Sequence, residues 1–267
     1  MTHEYVAPAP GGRTFTTARR VHLGDVGGTA RLRLEALARF FQDVATDDGT
    51  DAGLPQYKGV WVVRRMVIDI RSLPRYQDEV ELTTFCSGTG PCWAERRTTM
   101  TDGQRALAEA AAIWVYIDGA GGRPLPLDAD FFEIYGVAAT GRRVSSRLSH
   151  RRPPNGASSR PWPLRHSDFD MLDHVNNARY WEAVEDELAA RLPGAVAVAA
   201  EVEFRGAVER DDTVDLISEL GVSELGVSES GVGEVQEGVH ASQQLAVWLT
   251  TGSAVRMSAL VTARARP

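Results

Sequence analysis

Two histidines, three aspartates and two asparagines fall within residues 166–177, directly before an apolar-periodic segment. A carboxylate and an imidazole just ahead of a helix can act on a carbonyl group, because free backbone N–H groups and the helix dipole favour a developing oxyanion there. The segment therefore predicts acyl transfer to water. Asp170 would be the base or the nucleophile, and His174 would polarise the carbonyl or orient the water. A thioester suits such a site, because an ordinary thiol has a pKa of about 8.5 and its thiolate leaves without a dedicated general acid.

Other chemistries fit the segment less well. Its three aspartates suggest calcium, but an EF-hand loop counted from Asp168 needs Asp or Asn where Leu172 stands and Gly where Asp173 stands. A transition metal would need HExxH or a further histidine cluster, and the sequence has neither. The motifs GxSxG, GxGxxG and GxxxxGK[ST] do not occur. We expect neither a metal nor a cofactor.

Helix capping is the alternative reading of part of this segment. Asp and Asn are preferred where a helix begins, so Asp173, Asn176 and Asn177 can be explained as caps. Capping uses one side chain, and it leaves Asp170 and His174 without a structural explanation.

Composition limits the class of protein. The chain has 267 residues, 43% of them hydrophobic, and a formal net charge of -7. This charge argues against nucleic-acid binding, although clusters such as Arg64 and Arg65 could contact an acidic carrier or a phosphorylated cofactor arm. No run of eighteen uncharged apolar residues or signal pattern is present, and Cys86 and Cys92 form no CxxC pair. We expect a cytoplasmic protein with no membrane segment.

Hydrophobic periodicity predicts the same order of elements twice. The run LRLEALARFFQDVATDDG has apolar residues at helical spacing, and four runs rich in β-branched and aromatic residues follow it. The third and fourth runs are joined by a Thr101–Gln104 turn and should form a hairpin. After a stretch rich in Gly, Ser, Arg and Pro come a short extended run WPLRHSD, a helix in NNARYWEAVEDELAARL, and four more strands. Shifting the first half by about 143 residues places Asp25 on Asp168.

The chain is thus predicted to be α+β and duplicated, each half a curled antiparallel sheet around one long helix. We place the first domain at 1–125, a linker at 126–160 and the second domain at 161–267. The polar repeat Ser218–Val232 is expected to be an expanded hairpin loop.

The run DFDMLDHVNNARYWEAVED resembles the D-x-D-x-x-x-H-V-N-N-x-x-Y signature of the acyl-acyl carrier protein (acyl-ACP) thioesterases, which have two tandem hotdog domains. The first half is also similar to that family through LARFFQDVATDDGTDAGL, GVWVVRRMVIDIRSLPRYQDEVELTTF and AAAIWVYIDGAGGRPLPL. The resemblance implies hydrolysis of acyl-ACP to free fatty acid. It also implies a non-catalytic first hotdog that holds the acyl chain beneath its helix.

Carried over residue by residue, the family's catalytic Asp and His fall on Asp170 and His174. Asn176, a polar group close to His174 in the sequence, is our third catalytic candidate, and Asp168 is a possible auxiliary. The family's Asn falls on Leu172 and its later Glu-Cys pair on Ala207 and Val208; Glu209 could substitute if it lies on the same strand face. Our candidates for the acyl-chain wall are Phe41, Trp61 and Val63, for which ordinary core packing is the alternative.

Two functions from different classes therefore remain. One is an acyl-ACP thioesterase, with an acyl-CoA thioesterase as a variant. The other is a hotdog protein that binds acyl chains or thioesters with little turnover, because the family's Asn and Glu are missing. Acyl carrier protein is the expected partner, and the chain is expected to be a monomer or a homodimer.

Overall fold

The computed structural model of the chain describes residues 5–54, 59–119, 122–222 and 242–265. The helices are α1 (Leu34–Asp51), α2 (Ala129–Ala139) and α3 (Tyr180–Arg191). The strands are β1 (Phe15–Arg20), β2 (Val60–Ile70), β3 (Glu79–Thr89), β4 (Trp93–Thr101), β5 (Ala106–Ile117), β6 (Ser159–Pro161), β7 (Ala195–Phe204), β8 (Asp215–Val222), β9 (Gln243–Thr251) and β10 (Ala254–Ala265).

The strands form one antiparallel sheet in the order β1-β3-β4-β5-β2-β7-β10-β9-β8-β6. The first five strands in this order belong to the N-terminal half and the last five to the C-terminal half. The halves join where β2 pairs with β7, from Arg65 opposite Glu203 to Asp69 opposite Ala199. Each half thus has five strands and one long helix, and the predicted α+β fold of two tandem hotdogs is confirmed.

The two long helices pack into the core through the apolar faces that the sequence predicts. Leu37, Phe41 and Val44 of α1 are buried, as are Val184 and Leu188 of α3. All five belong to one core that extends through both halves, because α1 and α3 also pack on each other. The segment 166–177, which holds the predicted catalytic residues, precedes α3, so this packing fixes it relative to α1.

The connection between the halves contains the short helix α2, which the sequence analysis did not predict. The Asp128 side chain caps it by accepting a hydrogen bond from Phe131 N–H at 3.1 Å, and Thr140 ends it in the left-handed region. Phe131 and Tyr135 are buried, and α2 packs on β3. The interval 126–160 therefore includes a helix docked on the N-terminal half.

Three further observations bear on the sequence predictions. The extended run at 162–168 is not a strand; β6 precedes it and a 3-10 turn at His166–Asp168 ends it. The helix predicted from Asn176 begins at Tyr180. The first five residues of the Ser218–Val232 repeat lie in β8, and the rest fall outside the described residues. No helix in the described part of the chain is both long and apolar enough to cross a membrane.

Candidate active site

The predicted catalytic residues lie in one tight turn, residues 169–175, which we call the catalytic loop. Phe169 and Val175 pair as an isolated β-bridge at its base. Above them, Asp170 N–H donates to the His174 carbonyl oxygen at 2.9 Å, and Asp173 turns the chain with φ of 60°. The loop therefore brings the backbones of Asp170 and His174 next to each other, as the spacing in the motif requires.

Residues 26–32 of the N-terminal half form the same structure, and we call them the twin loop. A β-bridge closes its base, Gly27 N–H donates to the Arg31 carbonyl oxygen at 3.0 Å, and Ala30 turns the chain with φ of 55°. Each of these residues lies 143 positions before its counterpart in the catalytic loop. The same β-bridge, backbone hydrogen bond and positive-φ residue recur in both loops, and they confirm the duplication predicted from the sequence.

The two loops differ in side chains and not in backbone. Gly27 occupies the position of Asp170, and Arg31 occupies the position of His174. Arg31 donates to the Leu73 carbonyl oxygen at 2.9 Å. The twin loop therefore keeps the geometry without a carboxylate or an imidazole at the two reacting positions.

Asp168 fastens the catalytic loop to the start of α3. It is buried, its Oδ2 accepts a hydrogen bond from Arg165 N–H at 2.7 Å, and its carbonyl oxygen accepts one from Asn176 N–H at 2.8 Å. Asp25 makes the corresponding bonds to His22 and Arg33 in the twin loop. Since the twin loop has this aspartate without the catalytic pair, the contacts of Asp168 are those of a positioning residue.

Asp170 and His174 are both half-buried, so both can reach a bound ligand. Asp170 Oδ1 accepts a hydrogen bond from Leu172 N–H at 2.9 Å, which fixes the carboxylate and leaves Oδ2 for chemistry. No hydrogen bond joins the His174 ring to any described residue. Both side chains are thus partly accessible, and of the two Asp170 belongs to the wall of the cavity described below, whereas His174 does not.

The start of α3 adds polar groups beside this pair. Asn176 Oδ1 accepts a hydrogen bond from Ala178 N–H at 2.9 Å, which is the capping role considered above, and its Nδ2 makes no hydrogen bond with a described residue. The side chain of Arg179, the N-cap residue, forms an ion pair with Glu182 and no capping bond. The first turn of α3 therefore has no side-chain cap from its N-cap residue, and the charged pair of Arg179 and Glu182 lies beside it.

A cavity of about 560 Å³ extends from the catalytic loop into the N-terminal half. Its wall from the C-terminal half is formed by Asp170, Met171, Leu172, Asn176 and Asn177. Its wall from the N-terminal half comes from α1, the strands and α2, and comprises Gln42, Ala45, Thr46, Gly49, Leu54, Gly59, Val60, Trp61, Val62, Cys86, Ala94, Glu95, Arg96, Trp114, Phe131 and Tyr135. The volume lies in the range of small-molecule sites. One ligand can therefore contact both halves at once.

The three candidates for the acyl-chain wall fall in different places. Trp61 lines the cavity and contacts the rings of Tyr116 and Phe131, with centroids 5.0 and 5.6 Å away. Phe41 and Val63 are buried in the main core. The geometry thus favours Trp61 as a wall residue, and it favours core packing for the other two.

Gln42 is a cavity residue that sequence reasoning missed. It is half-buried on α1, and its amide makes no hydrogen bond with a described residue. With Ala45, Thr46 and Gly49 it forms a stripe at i, i+3, i+4 and i+7 that is small or polar. This stripe, beside the apolar face of the same helix, is the signal that could have indicated a cavity wall.

The structure does not support the strand argument for Glu209. β7 ends at Phe204, and Glu209 is exposed in a turn where its N–H donates to Asp212 Oδ2 at 2.9 Å. Strand alternation therefore cannot place its carboxylate. Ala207 precedes Val208, whose carbonyl oxygen accepts a hydrogen bond from Val175 N–H at 3.1 Å, so Ala207 lies near the catalytic loop without a polar side chain.

A network of buried polar side chains around Asp48 connects the elements that form the cavity wall. Asp48 is 1% exposed and accepts hydrogen bonds from Arg13 Nε at 2.8 Å, Arg96 Nη1 at 2.6 Å and Tyr135 Oη at 2.9 Å. Burial raises the pKa of the Tyr135 hydroxyl, so it stays protonated as a donor. This network joins α1, β4 and α2 around the cavity.

Cys86 also lines the cavity, but its thiol is not a nucleophile at neutral pH. Burial raises the pKa of Cys86 to about 11, and only the thiolate attacks carbonyl carbon. Cys86 therefore contributes an apolar surface, and Asp170 remains the candidate for the reacting group.

One cluster has side chains of metal-ligand type, His150, Glu201 and Glu203, and it lies away from the catalytic loop. Glu203 is fully buried; its Oε1 accepts from Ser149 N–H and His150 N–H, and its Oε2 accepts from Arg205. The Glu203 carboxylate is thus already occupied by protein donors. These hydrogen bonds attach the connecting segment, residues 140–158, to β7.

Both halves of the chain are similar to known proteins. Residues 12–135 match the family model of the acyl-ACP thioesterase N-terminal domain, and residues 152–248 match that of the C-terminal domain. An uncharacterized protein of Mycobacterium tuberculosis is 25% identical over 206 residues, which are 77% of this chain and 82% of that protein.

Two further similarities concern an enzyme and a solved structure. Oleoyl-acyl carrier protein thioesterase 1 of Arabidopsis thaliana is 23% identical over 73% of this chain and 60% of its own length. The crystal structure of a Lactobacillus plantarum protein assigned as an oleoyl thioesterase superposes with a TM-score of 0.80 at 21% identity, covering 96% of this chain and 98% of that one. At this identity the structural likeness shows the fold.

Proposed function

Since the chain belongs to the acyl-ACP thioesterase family and is a thioester hydrolase, we propose that it releases fatty acid from acyl-ACP with Asp170 and His174 as the reacting groups. The observation that supports this assignment is the shared cavity. Its wall includes Asp170 from one half and the apolar interior of the other half. A thioester at the catalytic loop can thus place its tail beneath α1.

The chemistry follows from the groups around the loop. Asp170 Oδ2 takes a proton from a water that attacks the carbonyl carbon, or it attacks that carbon itself and the resulting anhydride is then hydrolysed. His174 polarises the carbonyl or orients the water. Charge on the carbonyl oxygen is stabilised by the positive end of α3. The C–S bond then breaks, the sulfur leaves as thiolate, and the acyl group leaves as a carboxylic acid.

The test is hydrolysis of palmitoyl-ACP and oleoyl-ACP by the purified chain and by Asp170→Asn and His174→Ala. We expect each variant to lose about a hundredfold or more in kcat, the usual contribution of a positioned acid or base. Gly27→Asn is the matched control, because it makes the same residue at the twin position and its Cβ meets only Arg33 Cγ, at 3.7 Å. It should keep wild-type activity. Equal rates for wild type and Asp170→Asn would refute the assignment.

A second candidate is an acyl-binding protein with little turnover, and two observations favour it. Leu172 and Ala207 occupy the positions of the family's Asn and Glu and offer no side-chain hydrogen bond. If wild type hydrolyses no faster than the Asp170→Asn/His174→Ala double variant but still binds fatty acid, this reading replaces hydrolysis.

Carrier choice depends on a second surface. A groove of about 480 Å³ is lined by Arg64, Arg151, Arg152 and Arg205, together with Leu148, Ala254 and Val255. Burial, and after it the neighbouring charge of Arg205, lower the pKa of Arg64, whereas the charge of Glu203 acts in the opposite direction. Arg64 follows Val60, Trp61 and Val62 of the cavity wall on β2. These features favour an anionic carrier; acyl carrier protein is the carrier that the family implies, and CoA is the alternative. A cytoplasmic location and a monomer or homodimer remain predictions.

A further inference from the structure

The two halves of the molecule are related by an approximate two-fold axis. Followed outwards from the junction, the strand order is equivalent in both directions, because β2 and β7, β5 and β10, β4 and β9, β3 and β8, and β1 and β6 occupy corresponding positions. The two strands at the junction are antiparallel, as such an axis requires. A contact between α1 and α3 should therefore have a counterpart in which the two helices exchange roles.

Glu185 of α3 makes a contact of this kind. Its carboxylate lies at the first turn of α1, where Leu34 N–H stabilises the negative charge. The half-buried carboxylate thus marks a position for an anion between the two helices. The 143-residue offset of the two loops relates Glu185 to Gln42 of α1. It relates Leu34 to Asn177, ahead of α3, so the counterpart contact joins Gln42 to Asn177.

The groups of the counterpart contact face the cavity and are open. Gln42 and Asn177 both belong to the cavity wall, and Asp170 belongs to the same wall. Neither the Gln42 side-chain amide nor the Asn177 N–H makes a hydrogen bond with a described residue. The position that the Glu185 carboxylate occupies in one half is therefore left for a ligand oxygen in the other.

We propose that Gln42 is a catalytic residue that donates a hydrogen bond from its Nε2 to the carbonyl oxygen of the thioester, opposite the Asn177 N–H. The proposal rests on the proposed function and adds to it a group from the N-terminal half. The negative charge that develops on the oxygen when the carbonyl carbon is attacked is then stabilised by two donors, and Gln42 keeps its proton throughout. An ionised glutamate at 42 could not donate, and its charge would repel the oxyanion.

The test measures hydrolysis of oleoyl-ACP by wild type, Gln42→Met and Gln42→Glu. Methionine keeps the length of the side chain but has no donor, and glutamate keeps its shape and replaces the amide nitrogen with oxygen. We expect kcat to fall about a hundredfold in each variant, the usual loss when one oxyanion donor is removed, with little change in KM. Unchanged kcat in folded Gln42→Met, or a rise in KM alone, overturns the proposal.

Glu185→Gln is the matched control, because it makes the same residue at the counterpart position. Glu185 does not belong to the cavity wall, so this variant should keep the wild-type kcat at neutral pH. Melting temperatures establish that each variant is folded. A loss of activity in Glu185→Gln equal to that in Gln42→Met would mean that packing of α1 on α3, and not the amide, controls the rate, and it would overturn the proposal.

The infrared frequency of the bound carbonyl tests the contact without turnover. Oleoyl-ACP isotopically labelled at the thioester carbonyl carbon is bound to Asp170→Asn and to Asp170→Asn/Gln42→Met. A hydrogen bond to the carbonyl oxygen lowers the C=O stretching frequency, so we expect a lower value when Gln42 is present.

The two readouts separate this proposal from the proposed function. If wild type proves inactive but the frequency depends on residue 42, the proposed hydrolysis fails and the Gln42 contact stands. If hydrolysis is present and neither kcat nor the frequency depends on residue 42, the Gln42 proposal fails alone. If hydrolysis and the frequency difference are both absent, both proposals fail.

Discussion

Leu172 contributes its backbone, and not its side chain, to the candidate active site. Its N–H holds Asp170 Oδ1, while its side chain is 40% exposed at the cavity wall. The site is therefore less polar than the resemblance implies. Besides Asp170, the polar side chains that the catalytic loop, the start of α3 and α1 contribute to the cavity wall are Asn176, Asn177, Gln42 and Thr46.

Restoring a polar side chain at 172 should increase the rate. An asparagine there can donate a hydrogen bond to the water or to the carbonyl oxygen, and one such bond is worth about 0.5–1.5 kcal/mol, or up to about tenfold in kcat. Since Leu172 is already exposed, Leu172→Asn should not lower the melting temperature. The measurement is kcat on oleoyl-ACP. Met171→Asn is the control, because Met171 is 97% exposed and adjacent.

The result is informative in either direction. A gain confined to Leu172→Asn would mean that the catalytic loop can still use a polar group at this position. Equal rates for Leu172→Asn, Met171→Asn and wild type would show that the missing asparagine does not limit turnover.

At the residue scale, sequence reasoning reached the groups that lie close together along the chain. Asp170, His174 and Asn176 fall within one motif, and a local turn holds them. Gln42 was missed because tertiary packing of α1 against α3 brings it to the site, and no sequence spacing reports that contact. Glu209 was placed by strand alternation, and this failed because β7 ends at Phe204.

At the scale of elements, Glu185 lies on α3, which packs against α1, and its pKa depends on how deeply this packing buries it. Burial raises the pKa of Glu185 to about 7, although Leu34 N–H and the charge of Arg33 act in the opposite direction. Glu185 lies on α3 and Leu34 begins α1. Gln42 of α1 is its counterpart by the 143-residue offset. The reciprocal position in the N-terminal half, which lines the cavity, thus carries a neutral amide.

Glu185 should make stability depend on pH. Its folded pKa, about 7, lies above the ordinary glutamate value of 4.5. The folded state therefore holds the proton more tightly, and stability falls as pH rises from about 4.5 to 7. Glu185→Gln keeps the acceptor for Leu34 N–H and stays neutral. We expect it to be more stable than wild type at pH 8 by about 1–2 kcal/mol, after discount for partial exposure, and similar at pH 4.5.

Urea unfolding of both proteins between pH 4.5 and 8.5 measures this difference. Asp186→Asn is the control, because it removes the same charge from an exposed neighbour on α3. A Glu185→Gln profile parallel to wild type across the whole range would contradict burial as the cause.

The elements were predictable to different degrees. Long strands and α1 have clear periodicity and were predicted at nearly the right positions, and the hairpin turn at Asp102 and Gly103 is present, with φ of 83° at Gly103. α2 was not predicted, because its eleven residues lie between Pro- and Gly-rich stretches and its burial depends on contact with β3. The start of α3 was misplaced because Asn176 caps a turn before the helix.

At the scale of the whole molecule, the proposed function assigns different tasks to the two duplicated halves. The C-terminal half keeps the carboxylate and imidazole and has a core filled by Leu188 and Leu192. The N-terminal half has the cavity and a twin loop without reacting groups. The sequence predicted the duplication and which half carries the chemistry. The location of the cavity came only from the resemblance, because neither Ala45 nor Gly49 indicates open space until packing is known.

The arginine groove gives a prediction about the whole molecule and its partner. Arg152 is exposed and makes no ion pair with a described residue, whereas Arg151 and Arg205 pair with Glu219 and Glu203. On a chain of net charge -7, such a local positive surface should increase the rate of encounter with an acidic carrier. We expect Arg152→Glu to lower kcat/KM for acyl-ACP about tenfold at low salt, with kcat unchanged, and the deficit to shrink as ionic strength screens the charges.

Two comparisons make the carrier prediction specific. Arg191→Glu changes the net charge equally at the exposed end of α3 and should have little effect. Acyl-CoA of the same chain length tests whether the groove recognises a protein surface, since the two substrates share the thioester and differ in the carrier. A loss for acyl-ACP with acyl-CoA unaffected would assign the groove to the carrier protein. An equal loss for both substrates would instead assign it to the phosphate of the pantetheine arm, and no loss for either would exclude the groove from recognition.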